Sequence, residues 1–135
     1  MINDFQTSNV TVYTSSKGDN DGFPLYVDCL NLLIKSDPYI QNVDKGHKQD
    51  AYIFKQNLYY LLSFVMRANG KRDVKERVNL IDEALSYAEL VKISVRALYA
   101  FKCINDDARS SLNESLGSIF SQLRGWRHSY IKGDY

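Results

Sequence analysis

The sequence predicts an all-α protein, an antiparallel up-down four-helix bundle preceded by an extended N-terminal arm. Three observations predict it. Asp73 to Cys103 runs for about thirty residues without Gly or Pro, and its apolar residues recur at helical spacing. The stretch from Ala108 to Tyr130 carries the most regular apolar stripe in the chain. The breaks between helical stretches are short, so consecutive helices fold back on one another. On this reading residues 1–22 are a polar arm and residues 23–135 form one bundle domain. A length of 135 residues is enough to bury a core without disulfide or metal staples.

Residues 1–22 are rich in Ser, Thr, Asn, Asp and Gly and contain one alternating piece, Val10-Thr11-Val12-Tyr13. A lone strand has no partner to pair with, which makes the segment an arm. The first helix opens at Phe23-Pro24, because Pro in the first turn loses only an N–H that has no helical acceptor. Its body is LYVDCLNLLIK, with Tyr26, Leu30, Leu33 and Ile34 expected inside, and it is expected to stop at Ser36-Asp37-Pro38. Residues 38–49 form a polar connection that includes Gly46.

The second helix is expected from about Asp50, as N-cap, to Gly70 just past its end. Phe54, Leu58, Leu61, Leu62 and Val65 make its inner stripe. Tyr52, Ile53, Tyr59, Tyr60 and Met66 leave it apolar on most sides, the pattern of a helix that is either central or has a further face to bury in an oligomer. Lys71-Arg72 is a short basic turn. The third helix carries two adjacent stripes: Val74, Val78, Ile81, Leu85, Ala88, Val95 and Leu98, and Leu80, Ala84, Tyr87, Val91, Leu98 and Phe101. Together they span an arc wide enough for two neighbours. Its other face runs from Asp82 and Glu89 to Lys92 and Arg96, in the order that complements the helix dipole. Ile104-Asn105-Asp106 supplies capping chemistry for the fourth helix, whose stripe is Ala108, Leu112, Leu116, Ile119, Leu123, Trp126 and Tyr130.

Catalytic constellations are not evident. His47 and His128 are too few for a His-rich metal site and are expected at the surface. Asp82-Glu83 and Asp106-Asp107 are adjacent pairs whose side chains diverge around a helix, so they are expected in solvent or at caps. All-α ribonucleases of the HEPN type have four to six residues between Arg and His on a terminal helix; here only three separate Arg124 from His128. The expectation is a protein that is not an enzyme and takes no cofactor or metal. Cys29 and Cys103 have no Cys or His at ligand spacing and are expected to be small buried hydrophobes in a reducing cytosol. No apolar run is long enough to span a membrane and no secretory leader opens the chain, so a cytoplasmic location is expected.

Charge is unevenly spread. Residues 1–50 hold four Lys and seven Asp, net −3, whereas residues 51–135 hold thirteen Lys or Arg and nine Asp or Glu, net +4. The basic residues form two sets: Lys92, Arg96 and Lys102 toward the end of helix three, and Arg124, Arg127, His128 and Lys132 toward the end of helix four. In an antiparallel pair those ends are expected at opposite ends of the bundle, as two small patches that a ring of protomers joins into a belt for phosphates.

Helices two to four resemble the accessory variability determinant proteins of diversity-generating retroelements, within the superfamily of small four-helix proteins that includes those encoded in 23S rRNA intervening sequences. The resemblance covers about residues 24 to 130. It rests on Leu80, Ile81, Ala84, Leu85, Glu89, Lys92, Arg96, Tyr99 and Lys102, and on LNESLGSIFSQLRGW, where Leu112, Glu114, Leu116, Ile119, Leu123, Gly125 and Trp126 follow the family's closing pattern. The resemblance implies a homopentamer of four-helix protomers that binds a reverse transcriptase and template RNA and supports mutagenic copying without itself being a catalyst. Lys92, Arg96, Lys102, Arg124 and Arg127 are then the expected nucleic-acid contacts. The alternative is an oligomeric scaffold of the intervening-sequence type that does not bind nucleic acid, which the near-neutral net charge of +1 favours.

Overall fold

The computed structural model describes residues 22–131; the arm up to residue 21, and Lys132, lie outside them. Among the described residues there are four α-helices and no strand: α1 (Pro24–Ile40), α2 (Lys48–Gly70), α3 (Val74–Ala100) and α4 (Asp106–Ile131), with a 3-10 turn, Lys45–His47, before α2. The fold is all-α.

Contacts between helix ends set the directions. Asp37 near the end of α1 pairs with Lys55 near the start of α2, Nζ–Oδ1 3.0 Å. His47, just before α2, stacks on Phe101, just after α3, with centroids 4.7 Å apart. Asp82 near the start of α3 meets Arg127 near the end of α4. Phe23 meets the Trp126 ring edge-on at 5.0 Å, which returns the end of α4 to the start of α1. Each helix is therefore antiparallel to its neighbours in a closed ring of four.

The core is one cluster fed by all four helices. Phe54, Leu58, Leu61 and Val65 of α2 are fully buried against Ile81, Val91 and Leu98 of α3 and Leu112, Ile119 and Leu123 of α4. Each such side chain contributes about 1.5–3 kcal/mol by leaving water. The expected inner stripe of α2 is buried as a whole, and its expected surplus face, Tyr52, Ile53, Tyr59, Tyr60 and Met66, is exposed. On α3 the buried residues come from both expected stripes, Ile81, Ala84, Ala88, Val91, Val95 and Leu98, while Val74 and Phe101 at their ends are exposed.

Four expectations need correction. α1 continues through Pro38 to Ile40. The proline gives up one helical hydrogen bond, while burial of Ile40 and Val43 beyond it holds the last turn against the core. The inward face of α1 is rotated, with Leu25, Cys29, Leu32, Leu33, Ser36 and Ile40 inside and Tyr26, Leu30 and Ile34 only half-buried. Ser36 hid this stripe, because a buried serine looks polar in sequence; its hydroxyl donates to Leu33 O at 3.0 Å. α2 begins at Lys48, with Asp50 in its first turn rather than at the cap, where its carboxylate takes His47 Nδ1 at 3.0 Å. Cys103 lies in the turn after α3 and is half-buried, whereas Cys29 is fully buried as expected.

The caps explain the remaining boundaries. Asp73 accepts from Glu76 N at 2.9 Å at the start of α3, and Asn105 accepts from Ala108 N at 2.8 Å at the start of α4. α3 ends in a Schellman motif: Cys103 N donates to Leu98 O at 2.8 Å and Lys102 N to Tyr99 O at 2.9 Å. The residue in the left-handed position, where glycine is usual, is Lys102, at φ 64°.

Candidate nucleic-acid interface

Lys92, Arg96 and Tyr99 lie one turn apart along α3, and Arg109, Asn113, Leu116, Gly117, Phe120 and Arg124 line the facing side of α4. Between them runs an open groove of about 450 Å³ whose lining includes four cations and no carboxylate. Among the described residues none of the four cations forms an ion pair. Asp106, beside the groove, accepts from Tyr99 Oη at 2.6 Å. That hydrogen bond raises the Tyr99 pKa, so the phenol stays protonated.

Aromatic rings set the cations in place. The Arg109 guanidinium lies over the Tyr99 ring, 4.2 Å from its centroid. Phe120, only 5% exposed, has the Arg124 guanidinium at 4.9 Å and Lys92 Nζ at 5.6 Å. Stacking restrains a planar guanidinium while leaving its N–H edge free to donate. Arg109 Nε is buried and has no hydrogen-bond partner among the described residues. Such an arrangement can hold phosphate oxygens by charge-assisted hydrogen bonds.

Of the five residues expected to contact nucleic acid, the structure brings Lys92, Arg96 and Arg124 into this groove. The expected pair of patches at opposite ends of the bundle is replaced by one groove. Lys92 and Arg124 both reach the Phe120 ring, which stands between the two expected sets and lets them share one groove. Lys102 lies outside the groove, in the turn beyond Tyr99. Arg127 is engaged with Asp82, Nε–Oδ1 2.5 Å, in a bridge that ties α4 to α3 and also takes Asp82 out of the purely solvated role expected for it. His128 is exposed, as expected; His47 is half-buried between Asp50 and Phe101.

Arg109 was not among the expected site residues. A signal for it exists: Arg109, Asn113, Leu116, Phe120 and Arg124 step by four, three, four and four along one face of α4. Grouping basic residues by helix C-termini passes over it, because Arg109 belongs to the first turn of α4 and meets the end of α3.

A second surface is apolar. Tyr52, Lys55, Gln56, Tyr59, Tyr60 and Ser63 line a shallow depression of about 420 Å³ on α2. Tyr60 and Phe64 stack on Tyr87 of α3, at 5.0 and 5.4 Å, and Ile53, Leu90 and Ile93 are exposed on the same two helices.

Among the described residues no helix is long and apolar enough to cross a membrane, and no cluster of His, Cys, Asp and Glu is grouped to hold a metal ion. No family model, curated protein or solved structure matches this chain.

Proposed function

We propose that the chain is a non-catalytic accessory protein of a diversity-generating retroelement, which binds template RNA and the reverse transcriptase in the cytoplasm and supports mutagenic copying as a homopentamer. The observation that carries the RNA part is the groove between α3 and α4: four cations, without ion pairs among the described residues, and no carboxylate in the lining. Phosphate backbones are the polyanions that such a groove suits, and neutralising them releases counterions. The retroelement assignment rests on the resemblance in α3 and α4, from Leu80 to Trp126. The exposed tyrosines of α2 support assembly, since Tyr is enriched where apolar surface meets a partner.

The test uses purified full-length protein with template RNA and, separately, with the reverse transcriptase at low salt, alongside its mass in solution. A five-fold assembly that captures both is the expected result. Loss of both interactions removes the proposal.

The α2 surface favours a second reading, an oligomeric scaffold of the 23S rRNA intervening-sequence type. Tyr52 and Tyr59 are each more than half exposed, which leaves aromatic area for a protein partner. Partner binding that does not change with salt, in a protein with no RNA affinity, is the result that selects this reading.

A further inference from the structure

Resting on the RNA-binding reading, we propose that the α3/α4 groove seats the backbone of a single RNA strand and grips its phosphates without reading its bases, with Gly117 kept bare so that the strand can reach the groove floor.

Base-reading single-strand sites offer open aromatic faces on which bases stack. Here the rings hold cations instead: Arg109 lies over one face of Tyr99, whose hydroxyl is bonded to Asp106, and Phe120 is buried beneath Arg124 and Lys92. What faces the groove is guanidinium and ammonium donors, a phosphate-binding set. The groove holds about 450 Å³, space for a short stretch of one strand and not for a duplex.

Gly117 is the second, independent observation. A glycine inside a helix costs about 1 kcal/mol relative to alanine, and packing does not require this one: a Cβ at Gly117 would meet nothing within 4 Å. The fold therefore tolerates a side chain there. The space such a side chain would occupy is the groove itself, between Arg109 and Arg124 on the same face of α4. Gly125 serves as the internal control. It is also on α4, is exposed, and has nothing within 4 Å of a built Cβ, but it does not line the groove.

The experiment measures binding of fluorescent oligo(U), oligo(A) and oligo(C) to the full chain, to Gly117→Leu, to Gly125→Leu and to Arg109→Lys, with a thermal melt of each. The first two substitutions change no charge and favour helix, so both variants are expected to melt at or above the wild type. Gly117→Leu is expected to lose about tenfold or more in affinity for all three strands, and Gly125→Leu to lose less than about twofold. Arg109→Lys keeps the charge but not the two-pronged N–H edge and is expected to lose about tenfold. The three homopolymers are expected to bind wild type within about threefold of one another. A wild type that binds none of them overturns the RNA reading itself. A wild type that binds while Gly117→Leu and Arg109→Lys bind equally well overturns the groove, and a strong preference for one homopolymer overturns backbone-only recognition.

Discussion

Lys102 stands in the left-handed region at the end of α3, at φ 64°, in the position where Schellman motifs place glycine. An L-residue there carries about 1–2 kcal/mol of strain between its Cβ and the backbone. Replacing it by glycine removes that strain but adds unfolded-state freedom worth about 0.4–1 kcal/mol. Lys102→Gly is therefore expected to stabilise the protein by about 0.5–1 kcal/mol. At about 2.1 cal/mol/K of unfolding entropy per residue, a fold of this size then gains about 2–4 °C in Tm. Urea titration and thermal melting followed by circular dichroism measure both. The same variant tests the map of the interface, because Lys102 lies outside the groove; its RNA affinity is expected to change by less than about threefold. A variant that is less stable than wild type refutes the strain argument. One that keeps its stability gain but loses RNA binding altogether refutes the exclusion of Lys102 from the site.

Arg77 donates from Nε to Ala68 O at 3.0 Å, and its terminal nitrogens reach Lys71 O and Tyr130 Oη, so it fastens the end of α2 and the end of α4 to the start of α3. Arg77→Met is expected to cost about 1.5–3 kcal/mol in urea unfolding, the scale of hydrogen bonds made by a charged group. Phe54→Ala empties a fully buried site and is expected to cost about 3–5 kcal/mol by the same assay. Cys29 is fully buried and its thiol is pushed up by burial first and by Asp28 second, so in native protein a thiol reagent is expected to label Cys103 and to reach Cys29 only on unfolding. Lys35, which donates to Ser111 O at 3.1 Å and to Ser115 Oγ, has its pKa lowered by desolvation, partly offset by Glu114. Its folded pKa lies below the unfolded value, so the unfolded chain binds more protons in that window and stability rises with pH toward 10.5; the rise is expected to be smaller in Lys35→Met.

The parts of the fold legible in the sequence are those where one physical signal stands alone. The stripe of α4 from Ala108 to Leu123 and the inner stripe of α2 follow from period alone, and both are buried. The face of α1 was not legible, because Ser36 belongs to it and satisfies its hydroxyl locally, and because Pro38 reads as a stop although the core holds the chain helical beyond it. The groove was half legible. Lys92, Arg96 and Arg124 are visible as basic residues, but their convergence depends on the register of α3 against α4, which sequence spacing within one helix does not fix. Arg109 became part of the site through that register, and Arg127 left it because Asp82 lies opposite. His47 behaves similarly: a loop histidine in sequence, it stacks on Phe101 only because α2 starts where α3 ends.

The central claim is that a groove built by Lys92, Arg96, Arg109 and Arg124 binds RNA phosphates. The measurement that tests it most directly is the affinity of the wild-type protein for an unstructured RNA strand, by fluorescence anisotropy, across a salt series. If up to four phosphates are neutralised per protomer, log affinity falls with log salt at a slope near −3, since each contributes about −0.7 for a single strand. A slope between about −2 and −3 that flattens in Arg109→Gln and Arg124→Gln is the expected result. No binding at low salt, or an affinity indifferent to salt, contradicts the claim.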